Sequence, residues 1–237
     1  NAAYSNANSS QFIHKLNSDL TNTEFSTVFG SGNGINLSPS AFLVSDCDLI
    51  YVSGWGGSVN FQGNTFNMPT TSNAYQLASD GSDFYLGVFT ADANSLLYAT
   101  YFGGSTSSEH VDGGTSRFDK NGKVYQAVCA GCGGNSDFPT SINSWSNTNN
   151  SLNCNLGAFK FSLENITPVI SIPQPYVCMP NSYQFNNLSQ GGDQYLWDFG
   201  DGITSNQFEP AHTYQDTGFY EVTLIVSDSL GCLQEDT

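Results

Sequence analysis

Apolar and polar positions alternate in short runs along the whole chain. Tyr195, Trp197 and Phe199 alternate with Leu196 and Asp198, which predicts a strand with three aromatics on one face. Tyr220, Val222, Leu224 and Val226 alternate again and predict a second half-buried strand facing the first. Between them Gly200-Asp201-Gly202 predicts a tight turn, because glycine tolerates the positive φ such turns need. Nearer the start, Phe12-Ile13-His14-Lys15-Leu16 and Phe25-Ser26-Thr27-Val28-Phe29-Gly30 predict two further strands. That pair returns as Tyr85–Phe89 and Tyr98–Gly103, at a spacing of about 70 residues. Asp48–Gly54 is echoed by Gly122–Val128, Met68-Pro69-Thr70 by Phe138-Pro139-Thr140, and Leu86–Phe89 by Leu156–Phe159. Each unit holds about four short strands between Gly, Asn and Asp turns, the content of one propeller blade.

Composition sharpens the fold class. The chain is rich in Gly, Asn, Ser, Thr and aromatics and poor in helix formers, which predicts an all-β protein. Its 237 residues leave room for two domains of ordinary size. Twenty-one acidic residues against five basic ones give a net charge of −16, which excludes attraction to nucleic acid and leaves cations and neutral glycans as fitting partners. No apolar run approaches the roughly 20 residues that span a bilayer, so no membrane span is predicted. Six cysteines, an even set in a glycine-rich β chain, favour an oxidising compartment.

Two stretches resemble known families. Trp197-Asp198-Phe199-Gly200-Asp201-Gly202, Pro210, His212-Thr213-Tyr214 and Gly218–Leu224 resemble the polycystic-kidney-disease (PKD) domain signature. The resemblance implies an immunoglobulin-like sandwich in which Asp198, Asp201 and His212 belong to the fold signature. Leu97–Gly104, Gly122–Tyr125 and Asp137–Thr140 resemble the SBBP propeller repeats of secreted bacterial proteins. The expected organisation is propeller-type four-stranded repeat blades over 1–163, a linker over 164–175 rich in proline and β-branched residues, and a sandwich over 176–237. The final strand of that sandwich is expected beyond Thr237, in a larger polypeptide.

Cys178 and Cys232 flank the sandwich signature and are expected to pair, closing a loop worth about 4 kcal/mol in the chain-entropy model. Cys47, Cys129, Cys132 and Cys154 allow three connectivities. Cys129 and Cys132 form a CxxC, which is a zinc half-site, a redox pair or a participant in structural disulfides. Zinc needs two further ligands, and a redox role wants a strand-to-helix context that Gly131, Gly133 and Gly134 do not offer.

Asp198, Asp201, Asp112 and Asp137 lie on glycine-rich loops, with His110 near Asp112, and are candidate calcium ligands, although solvated turns account for them too. Trp55, Phe61, Phe66 and Trp145 lie in or beside inserted loops and are candidates for stacking on sugars or filling a partner's pocket, or for packing between blades. Asp228-Ser229-Leu230 resembles the triplet that Bacteroidota use for O-glycosylation, which makes Ser229 a candidate modification site. GxSxG, HExxH and a phosphate-cradling glycine loop before Lys are all missing, so no catalytic residue is predicted. Arg117 is the only arginine, too few for the multi-arginine pocket of sialidase-type propellers.

Together these features resemble large exported surface proteins of Bacteroidota, many delivered by type IX secretion and associated with gliding or adhesion. The expected function is a non-enzymatic extracellular segment that displays, adheres or contacts other surface proteins and glycans. The competing expectations are an accessory binding region of a secreted polysaccharide-degrading enzyme and a calcium-dependent sugar-binding protein.

Overall fold

A computed structural model describes residues 4–34, 36–57, 63–111, 116–120, 122–163, 166–172, 182–189 and 192–228. Every regular element among them is a strand, and the chain is all-β. It divides into two compact units, Asn1–Leu163 and Glu164–Thr237.

Among the described residues, the first unit contains three antiparallel sheets. Strands β1 (Gln11–Leu16) and β2 (Thr23–Phe29) form a hairpin. Four strands, β3 (Ser38–Val44), β4 (Ile50–Trp55), β5 (Phe84–Phe89) and β6 (Leu96–Phe102), form a meander in chain order. The third sheet joins β7 (Ser116–Phe118), β8 (Lys123–Ala130) and β9 (Asn155–Ser162).

The sequence repeat and the sheets are out of step by two strands. The repeat equates β1 with β5, β2 with β6 and β4 with β8, yet the β3–β6 and β7–β9 sheets each begin with the later strands of one repeat and continue with the first of the next. Ile50–Trp55 therefore pairs with Phe84–Phe89 across the long connection after Trp55. Their apolar runs explain the choice: β5 is buried at every position and β4 at all but its last, as central strands between two covered faces must be.

Aromatic side chains fill the space between sheets. Phe89 meets Phe29 at 5.4 Å, Tyr51 meets Phe118 at 5.7 Å, and Phe102 meets Phe159 at 4.6 Å between ring centres. Gln126 of β8 adds a polar tie, donating to Ser40 Oγ and accepting from Ser53 Oγ.

In the second unit, β13 (Gln194–Asp198) pairs with β16 (Thr223–Ser227), with Trp197 opposite Leu224, and with the short β14 (Thr204–Ser205). Trp197, Phe199, Leu224 and Val226 are buried together with Ile166, Phe185 and Tyr214, while Leu196 and Asp198 face outward. The Trp197 indole donates to the carbonyl of Gln207 at 3.0 Å, and the Tyr214 hydroxyl to that of Phe199 at 3.0 Å, so both polar ends are satisfied inside the core. Two short pairs complete the unit: β10 (Ile170–Ser171) with β12 (Asn186–Asn187), and β11 (Tyr183–Gln184) with β15 (Ala211–His212).

The linker expected over 164–175 is corrected in part by this arrangement. Ile166 enters the second core and Ile170–Ser171 is a strand, because β-branched residues with a partner edge form a ladder.

Candidate functional site

The most concentrated chemistry lies where β8 ends. His110 forms an isolated antiparallel bridge with Cys129: the His110 amide donates to the Cys129 carbonyl at 3.3 Å, and the Cys129 amide to the His110 carbonyl at 2.9 Å. The chain then turns through Gly131 (φ 63°), Cys132, Gly133 (φ 89°) and Gly134 (φ 82°), left-handed values open to glycine. A Cβ on Gly133 would meet Asn135 at 3.3 Å.

The loop from 131 to 154 returns to the same place. Asn149 donates its amide to the carbonyls of Gly131 and Asn153, Gly134 N donates to Asn153 O, and a Cys132–Cys154 disulfide closes it. Donor atoms of His110, Cys129 and Cys154 lie within 4.8 Å of one another, the one such convergence of His, Cys, Asp and Glu among the described residues. Cys132 Sγ stands 3.6 Å from His110 Nδ1. The Trp55 ring lies 5.8 Å from the His110 ring.

His110 and Cys154 thus lie beside the CxxC cysteines, with Cys154 bonded to Cys132. Neither is near the CxxC in a recognisable spacing. The bridge to β8 and the loop's return bring them in.

Beside this cluster lies a carboxylate group. Glu109 is buried; its Oε2 accepts from Gly104 N at 3.1 Å and its Oε1 from Ser107 Oγ and from Gly131 N at 3.4 Å. Burial pushes its carboxyl up to about 7 against the pull of those bonds. Asp83 is fully buried, accepts from the Gln76 amide through Oδ2, and leaves Oδ1 without a hydrogen bond; burial pushes it up to about 6. Raised carboxylates are what general acids need, and both of these are buried side by side next to Gly103.

Among the described residues, Asp137, Asp198 and Asp201 belong to no cluster of three or more possible metal ligands. Burial raises the Asp137 carboxyl, but bonds from Ser107 and Thr106 outweigh it and bring it down to about 2. Asp198 accepts from Gly200 N at 2.9 Å. Asp201 accepts from Ile203 N and pairs with His212 at 2.8 Å, in a unit separate from Asp137. Burial pushes the Asp201 carboxyl up, yet the His212 and Ile203 bonds prevail and keep it below the usual range.

Of the aromatic candidates, Trp55 is half-buried at the end of β4, Phe66 is exposed and covers Gly81, and Trp145 is fully exposed. Ile142 and Leu152, which sequence reasoning passed over, are fully exposed on the same loop as Trp145. Cys47 lies in the turn between β3 and β4. Phe61, Asp112, Cys178, Ser229 and Cys232 lie outside the described residues, and with them the expected Cys178–Cys232 pair.

In the second unit Phe199 stacks on His212 with ring centres 4.1 Å apart, and His212 holds Asp201 of the Gly200–Gly202 turn. Core tryptophan, glycine turn and histidine thus form one packed constellation. Residues 165–237 match the PKD domain family. The chain is similar over 81 aligned residues, 32% of its length, to collagenase ColQ1 of Bacillus cereus (strain Q1), at 38% identity. It is 58% identical over 36 residues, 15% of the chain, to the microbial collagenase of Vibrio alginolyticus. Over 74 residues, 30% of the chain, it is 36% identical to the pre-pro-metalloprotease PrtV of Vibrio cholerae. These matches span 8%, 4% and 8% of the respective relatives. No helix among the described residues is long and apolar enough to cross a membrane.

Proposed function

We propose that the chain is a non-enzymatic contact segment of a larger extracellular protein, in which repeat sheets present loops and the PKD unit acts as a module in series. The observation that carries this reading is the loop from 131 to 154. Ile142, Trp145 and Leu152 stand fully in solvent on a loop tied at its base by the Cys132–Cys154 disulfide. Large apolar side chains held on a constrained loop lose little entropy on binding, which suits capture of a partner surface or a sugar face.

The remaining parts of the proposal rest on resemblance: the sheets of the first unit as blades of a propeller, and export by the type IX route to a bacterial cell surface. The acidic charge fits an exposed location and disfavours nucleic-acid partners.

A second reading is an accessory binding region of a secreted enzyme, and the collagenase and metalloprotease relatives favour a protein substrate for it over a polysaccharide. Retention of the chain on immobilised collagen and on a glycan array separates the two. Glycan or non-collagen surface binding lost in Trp145→Ala supports the first reading, and collagen binding supports the second. Turnover of any bound ligand by the chain itself sinks both, as does retention on neither surface.

A further inference from the structure

We infer that His110, Cys129, Cys132 and Cys154 form a tetrahedral zinc site, of which the Cys132–Cys154 disulfide is the oxidised, metal-free form. Around Zn2+, thiolate sulfur lies about 2.3 Å and imidazole nitrogen about 2.0–2.1 Å from the ion, so ligand atoms stand roughly 3.4–3.8 Å from one another. Cys132 Sγ and His110 Nδ1 are already 3.6 Å apart. The donor atoms of His110, Cys129 and Cys154 fall within 4.8 Å of one another and close by up to about 1 Å to reach that spacing, while Cys132 Sγ, outside that set, separates from Cys154 Sγ once their bond is reduced.

The ligands come from an isolated bridge, the end of β8, the CxxC turn that follows it and the residue just before β9, and a CxxC pair with two further ligands is a usual make-up of a closed structural site. The left-handed glycines of the turn let the backbone wrap closely around an ion. Trp55 covers the His110 ring and helps to exclude water. Three soft thiolates and one imidazole select zinc over the hard calcium ion that the acidic composition suggests.

The two forms differ by two electrons. An external thiol reductant supplies them: two of its thiols become a disulfide as the Cys132–Cys154 bond breaks and each protein sulfur takes a proton. Zinc binding then displaces three protons, one from each cysteine thiol, while His110 contributes a ring nitrogen. The site thus couples loop closure to redox state: a two-point tether when oxidised, a four-point one when reduced and metallated.

The test uses the full chain, reduced under anaerobic conditions and titrated with Co2+ and then Zn2+. One equivalent of cobalt should give the visible bands of a tetrahedral ion and thiolate charge transfer, both abolished by zinc. Zinc should protect Cys129, Cys132 and Cys154 from alkylation, read by peptide mass spectrometry, while Cys47, Cys178 and Cys232 react. Cys129→Ser and His110→Ala should each lose the tetrahedral spectrum, and His110→Cys should keep it with an added thiolate. The inference is overturned if the reduced, folded chain takes up no cobalt, if protection falls on other cysteines, or if the spectrum survives in both Cys129→Ser and His110→Ala. Because none of these readouts involves ligand capture, their failure leaves the contact function standing.

Discussion

Asp83 pits burial against charge. Its carboxyl is pushed up to about 6 by burial, and its unbonded Oδ1 lies close to Glu109 Oε2, both crowding the space beside Gly103. A carboxyl whose pKa is higher folded than unfolded holds its proton better in the native state. Its contribution to stability is therefore full below the ordinary value of 3.8 and is lost as pH rises through about 6. Asp83→Asn keeps an acceptor for Gln76 and turns a donor toward the neighbouring carboxylate. It should flatten the fall in stability between about pH 4 and 6 and raise stability at pH 8 by on the order of 2 kcal/mol. Urea midpoints at pH 4, 6 and 8 check this, and an unchanged slope refutes it. Asp201 has the opposite sign: held low by His212 and Ile203, it stabilises the PKD unit above the usual carboxylate range and stops doing so as pH falls through its depressed value. Trp145, fully exposed, is a contrasting residue. Trp145→Ala should move the thermal midpoint negligibly, with a stability change within about 0.5 kcal/mol, and act on binding alone.

The Gly200–Gly202 turn links β13 to β14 and places Asp201 against His212. Gly200 has φ of 78°, and a Cβ there would stand 2.5 Å from the Glu221 carbonyl oxygen. Gly200→Ala should destabilise the PKD unit by about 2 kcal/mol or more, from the left-handed backbone and the forced shift of Glu221. Denaturant titration followed by Trp197 fluorescence should show it. Gly202, with φ of 87° and open space around its Cβ position, should cost less on the same change. The strands themselves were legible from alternation: Trp197, Phe199, Leu224 and Val226 are buried as their period-two pattern predicts, and Leu196 and Asp198 point outward. The two-strand stagger between repeat and sheet was not legible. Alternation states which face a strand buries and is silent on which neighbour it pairs with.

At the scale of the molecule, each unit carries its own aromatic core, one around Phe29, Tyr85 and Phe89, the other around Trp197, Phe185 and Phe199. Trp197→Ala removes the largest side chain of the second core and the donor to Gln207, at a cost of about 3–5 kcal/mol. Calorimetry of the full chain should then show the transition of the PKD unit lowered or lost while the first unit still melts cooperatively. A single transition shifted as a whole would contradict two separate cores.

The all-β class, the turn at Gly200 and the PKD signature could be read directly from the chain, because strand period and glycine conformations act over a few neighbouring residues. The gathering of His110, Cys129, Cys132 and Cys154 could not, nor could the pairing of Asp201 with His212. Those depend on contacts between residues far apart in the chain: the bridge from His110 to β8, the return of the loop to Cys154, and the stacking of Phe199 on His212. Local patterns dictate which segments become strands, and the burial of their faces then selects which strands meet. Only that second step determines which side chains share a site.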